Sequence, residues 1–146
     1  EGIEAVCVRL ARAIAADGEG ATRLIEVQVR GACAERDARR AARTVAGSNL
    51  LKAAVYGADP NWGRILAALG RAGVPFDPDR TDIAIGPVLV YSRGRPVAFD
   101  RAAASAALQP PEVRIAIDLH LGHATATAWG CDLTERYVAI NSEYTT

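Results

Sequence analysis

The chain is expected to fold as an α+β domain, a mixed or antiparallel sheet with helices packed mainly on one face. Two periodicities predict it. Ile25, Val27 and Val29 alternate with Glu26, Gln28 and Arg30, and Val113, Ile115, Ile117 and Leu119 alternate with Arg114, Ala116 and Asp118, the period-two signal of strands with one buried face. Between such segments lie amphipathic stretches of helical period, as in residues 3–14 and 35–46. A chain of 146 residues with about half its residues apolar fits one domain, residues 1–146, large enough to hold a core without staples.

Each element has a local reason. Ile3, Val6, Cys7, Leu10 and Ile14 recur at helical spacing, and Asp17-Gly18-Glu19-Gly20 ends that helix, because paired glycines favour a C-cap and turn. No start signal precedes Ile3, so the helix opens as if continuing from a longer chain. Gly31 closes the first strand. Glu35 to Ala46 reads as a helix with Ala38, Ala41, Ala42 and Val45 on one side and Arg36, Arg39, Arg40 and Arg43 on the other, the arginines forming a solvated face. Leu50 to Tyr56 reads as a short buried strand. Asp59-Pro60-Asn61 forms a turn, with Asn61 capping a helix that carries Trp62, Ile65, Leu66 and Leu69 and ends near Gly70 or Gly73.

Short strands follow at 83–85, 88–91 and 96–98, separated by Gly86-Pro87 and Arg93-Gly94. Asp100 caps a short alanine-rich helix reaching about Leu108, broken by Pro110-Pro111. Val113–Leu119 and Ala124–Trp129, joined through Gly122, read as a hairpin. Residues 134–144 read as a short helix leading to a polar tail.

Composition limits function. Seventeen basic residues balance seventeen acidic ones, and aromatics are 5%. This argues against a nucleic-acid binder, which needs excess positive charge and stacking surfaces. No apolar run has the length of a membrane span. Cys7, Cys33 and Cys131 are dispersed and odd in number, which suits a reducing compartment better than a disulfide framework. His120 and His123 sit around a turn with no third ligand at metal spacing. No GxSxG, Walker A or GxGxxG motif occurs. Cys131 reads as a packed thiol. Two features could bind a ligand. Glu19, between two glycines, could pair with an ammonium group. The polar tail from Asn141 to Thr146 could gather an amide, hydroxyls and a carboxylate.

Four motifs occur in order: Asp17-Gly18-Glu19-Gly20-Ala21-Thr22, Asp59-Pro60-Asn61-Trp62-Gly63-Arg64-Ile65-Leu66-Ala67-Ala68, Thr127-Ala128-Trp129-Gly130-Cys131-Asp132-Leu133-Thr134 and Tyr137-Val138-Ala139-Ile140-Asn141-Ser142-Glu143-Tyr144-Thr145-Thr146. Together they resemble the C-terminal part of the β chain of the ornithine acetyltransferase (glutamate N-acetyltransferase) family of arginine biosynthesis.

The resemblance implies a cytoplasmic enzyme whose precursor cleaves itself into α and β chains that assemble as an α2β2 heterotetramer. A newly exposed N-terminal threonine then carries acetyl from N2-acetyl-L-ornithine to L-glutamate without a cofactor. This chain begins with Glu1, so the resemblance places the nucleophilic threonine upstream and the oxyanion donors in the α chain, and implies that residues 1–146 alone are inactive. What carries over is substrate binding. Glu19 would pair with a substrate amine, Asn141 would hydrogen-bond the amino-acid portion, and Thr146 would close the pocket. No catalytic role falls on Asp59–Arg64, which turn formation, capping and Trp62 packing explain. His123 stands where relatives commonly carry an acid. Two rival readings are a non-catalytic amino-acid-binding domain and a related self-processing N-terminal-nucleophile hydrolase.

Overall fold

The computed structural model describes residues 2–143. The elements in chain order are α1 (Ile3–Ala16), β1 (Leu24–Ala32), α2 (Glu35–Ala46), α3 (Asn49–Tyr56), α4 (Trp62–Gly70), β2 (Asp82–Ile85), β3 (Val88–Ser92), β4 (Arg95–Pro96), α5 (Arg101–Ala106), β5 (Glu112–Asp118), β6 (Ala124–Cys131) and α6 (Glu135–Glu143). A single 3-10 turn spans Pro78–Arg80. Among these residues the strands form one six-stranded mixed sheet, ordered β4-β3-β2-β5-β1-β6. The expected class holds.

The alternation read from β1 and β5 sets the two faces of the sheet. Ile25, Val27 and Val29 lie beside Val113, Ile115 and Ile117, and Ile83 and Ile85 continue the row on β2; all are buried. Ala38, Ala41, Ala42 and Val45 of α2 cover this row. Each large aliphatic side chain removed from water contributes roughly 1.5–3 kcal/mol, and the alanines keep α2 close to the strands. Leu51 and Val55 of α3 and Ile65 and Leu69 of α4 complete the layer. The opposite face carries Glu26, Gln28, Arg30, Arg114 and Asp118. There α1 is tethered by Arg12, which donates to Glu26 (2.5 Å) and Glu112 (2.8 Å).

Three expectations are corrected. Residues 50–56 form helix α3, not a strand: Leu51, Ala54 and Val55 are its buried positions, a helical spacing that a short, nearly all-apolar run conceals. Arg23 donates to the carbonyls of Val55 and Tyr56 at its end, satisfying groups the helix leaves open. Val113–Leu119 and Ala124–Trp129 are not a hairpin. β1 lies between them, parallel to β5 and antiparallel to β6, so the alternation was correct and the pairing was not. The strand expected at 96–98 lies instead at Arg95–Pro96, followed by one further backbone bond from the Val97 N–H to the Val90 carbonyl (3.3 Å).

The Asp59–Arg64 motif works structurally. The Asn61 side chain accepts from the Arg64 N–H (3.2 Å) and caps α4, its amide donates to Asp59 (3.0 Å), and Trp62 stacks on Tyr91 with centroids 5.2 Å apart.

At the far end of β5, His120 bridges two carboxylates. Its Nε2 lies 2.8 Å from Asp82 and its Nδ1 lies 3.4 Å from Asp118, while Ser92 Oγ donates to Asp82 (2.5 Å). Burial pushes the Asp82 carboxyl up, but the hydrogen bonds from Ser92 and His120 and the nearby charges of His120 and Arg93 outweigh it and hold the group below its ordinary value. A carboxyl lowered in the folded state stabilises fully above its unfolded value of about 4 and loses that contribution as pH falls through the folded value. Asp82→Asn is therefore expected to lower the unfolding temperature at neutral pH, with the gap from the unsubstituted protein closing below about pH 4. Thermal melts across that range check it.

Candidate functional site

The Asp17–Thr22 loop and the start of α6 are far apart in sequence and adjacent in space. Asp132, directly after β6, joins them. Its side chain is fully buried and accepts from Thr22 N (2.8 Å), Thr22 Oγ1 (2.5 Å) and Arg23 N (2.9 Å), with the Arg23 guanidinium 3.7 Å away. Thr134 Oγ1 donates to the Gly20 carbonyl (2.7 Å) and accepts from the Tyr137 N–H (3.3 Å). One hydroxyl thus caps the first turn of α6 and holds the glycine loop against it.

Gly20 makes this approach feasible. It has φ +69°, and a Cβ there would lie 2.8 Å from Tyr137 N and 3.1 Å from the Arg136 carbonyl carbon. Gly20→Ala combines a left-handed backbone with a backbone clash, each an identified source of destabilisation. It is expected to lower stability by about 1–3 kcal/mol and to displace Glu19 from Asn141. Chemical denaturation, together with turnover by the full-length protein, checks both effects.

Against this frame the two predicted residues meet. Asn141 Nδ2 donates to Glu19 Oε2 (2.7 Å) and to the Tyr137 carbonyl (2.8 Å), although Glu19 and Asn141 are 122 positions apart. Both side chains are exposed. With its N–H bonds directed at Glu19 and Tyr137, Asn141 leaves its carbonyl oxygen open, and Glu19 Oε1 has no partner among the described residues. Both oxygens are hydrogen-bond acceptors, and that of Glu19 belongs to a carboxylate. Thr146, the third predicted residue, lies outside the described residues. Gly20, noted in the sequence as a neighbour of Glu19, positions the pair together with Asp132, Thr134 and Thr22, which sequence reasoning did not single out although Thr22 lies in the Glu19 motif and the other two in the Trp129 motif. Cys131 is partly exposed, and its thiol packs against Gly18.

The model of the ArgJ family matches residues 1–146. The chain belongs to the ArgJ family. This bears out the resemblance carried by the four motifs. It is 57% identical over 146 residues to the arginine biosynthesis bifunctional protein ArgJ of Symbiobacterium thermophilum, covering all of this chain and 36% of that protein. It is 55% identical to the ArgJ of Thermus thermophilus, again over the whole chain and 38% of the relative. The crystal structure of ArgJ from Bacillus halodurans superposes with a TM-score of 0.94 at 46% identity, covering 97% of this chain and 67% of that one. The chain therefore spans a little over a third of the length of its curated ArgJ relatives. Among the described residues no helix is long and apolar enough to cross a membrane.

Proposed function

We propose that this chain forms the amino-acid-binding part of a cytoplasmic ornithine acetyltransferase whose reactive residue lies elsewhere in the same precursor. The observation that carries this reading is the Glu19–Asn141 contact (2.7 Å) in a chain of the ArgJ family. The names of the relatives, which place them in arginine biosynthesis, support the substrate class.

In this reading, the hydroxyl of an upstream N-terminal threonine attacks the acetyl carbonyl of N2-acetyl-ornithine. The freed α-amine of that threonine takes the hydroxyl proton and returns it to the departing nitrogen of ornithine. The resulting acetyl-threonine ester is attacked by the amine of glutamate, giving N-acetylglutamate and regenerating the hydroxyl. The α chain supplies the oxyanion donors. Glu19 and the Asn141 carbonyl receive the side-chain ammonium of N2-acetyl-ornithine and dock the ammonium of the incoming glutamate, which gives a proton to the threonine α-amine before it attacks the ester, that proton passing to the departing threonine oxygen; Thr146 closes the pocket. No cofactor takes part. Residues 1–146 alone carry no turnover, and the working unit is the α2β2 assembly of the cleaved precursor.

The test uses the full-length protein with N2-acetyl-ornithine and glutamate. Formation of N-acetylglutamate and ornithine with ping-pong kinetics is expected. Release of free acetate would mark a hydrolase instead, and binding without turnover would mark a non-catalytic amino-acid-binding protein.

A further inference from the structure

The two edges of the sheet are built differently. β4 is two residues long and carries Arg95 and Pro96, features that block pairing with another strand. β6 runs for eight residues, Ala-Thr-Ala-Thr-Ala-Trp-Gly-Cys, with no charge and no proline. Its outer edge faces no strand among the described residues. Proteins protect such edges or fill them.

The surroundings of β6 have the shape of a slot. Two grooves run along it, of about 580 Å³ beside Thr125–Trp129 and about 550 Å³ beside Ala128–Cys131, both walled by α1 and α2. The α1 wall is mainly apolar and open: Val8, Ala11, Ile14 and Ala15 line the grooves beside Glu4, none of them is buried, and Val8 and Ile14 are 37% and 75% exposed. The opposite wall holds two uncompensated cations. Arg43 lines both grooves and Lys52 lines the second, and neither has an ion-pair partner among the described residues, whereas Glu26 and Glu35 of the first groove are paired with Arg12 and Arg39. The curated relatives carry nearly two thirds of their length outside the region matched here.

We propose that this groove receives one further β-strand, supplied by the part of the longer polypeptide outside residues 1–146. A strand added to β6 turns alternate side chains toward the two walls. Its residues are therefore apolar on the α1 side and include acidic ones on the Arg43 and Lys52 side. An eight-residue partner would extend ~27 Å along the edge. The proposal concerns assembly and is read without substrate, so it stands or falls separately from acetyl transfer.

The experiment is residue-resolved hydrogen exchange on the full-length protein. If the slot is filled, consecutive amides of 124–131 exchange at least ~100-fold more slowly than unstructured amides, whichever way they point. Free exchange at alternate amides, the pattern of an open edge, overturns the proposal. A photoreactive residue at Thr125 identifies the occupant: a crosslink outside residues 1–146 supports the proposal, and one within 1–146 of a second copy overturns it. Arg43→Glu is expected to speed β6 exchange at least ~10-fold, while Arg36→Glu, outside both grooves, does not. Equal effects would overturn the acidic character of the occupant.

Discussion

Replacing Asp132 with alanine is expected to lower the unfolding midpoint by roughly 10 °C, the largest stability effect of any single polar substitution considered. The carboxylate is wholly buried and accepts from two backbone N–H groups and one hydroxyl beside the Arg23 guanidinium. Alanine leaves those donors in a space without water or an acceptor. Unmaking charge-assisted bonds at a buried site costs about 3–5 kcal/mol. Asp132→Asn keeps the shape and one acceptor oxygen, so its loss is expected to fall between the alanine variant and the unsubstituted protein. Thermal melts of all three, followed by near-ultraviolet circular dichroism, check the order. Equal melting of all three would mean that the loop at residues 17–22 is held by other contacts.

Glu19→Gln in the full-length protein is expected to reduce kcat/KM for N2-acetyl-ornithine and glutamate by about ten- to a hundredfold, the consequence of losing about 1.5–3 kcal/mol of charge-assisted bonding. Glutamine can still accept from Asn141 Nδ2, so the loop stays in place while the charge offered to an ammonium group is removed. Because Glu19 and Asn141 touch, Asn141→Ala and the double variant are expected to be non-additive: the second substitution adds little once the first is made. Steady-state kinetics on the four proteins check this. An unchanged kcat/KM in Glu19→Gln would remove the residue from the binding site, while a loss accompanied by a lowered melting temperature would assign it to folding instead.

Much of the secondary structure was legible in the sequence because burial imposes a period. Ile25–Val29 and Val113–Leu119 could be read as strands, and Ala38–Val45 as a helix face, from the order of residues alone. Leu50–Tyr56 could not, since a run with only one lysine among apolar residues shows neither period. The pairing of β1 with both β5 and β6 was also out of reach, because alternation gives the face of a strand and not its neighbour. In the site, Glu19 and Asn141 were marked by motif resemblance. Their contact depends on Asp132, Thr134 and Gly20, and the burial of a lone aspartate or threonine leaves no periodic trace. Likewise α1 has the pattern of a core helix, yet its apolar stripe lies open, because a pattern records that a face needs covering and not which residues cover it.

The position of β1 also shapes how the chain acquires its structure. Both neighbours of β1 come from residues 112–131, so the strand begins near position 24 and waits for most of the sequence to appear before any ladder can form beside it. Closing loops of that length is entropically slow, and folds dominated by distant pairings form sluggishly. On the ribosome, α2 and α4 emerge early with no sheet to cover. A polypeptide ending before Glu112 would have no partner for β1, and a protease or a chaperone would meet that strand unpaired.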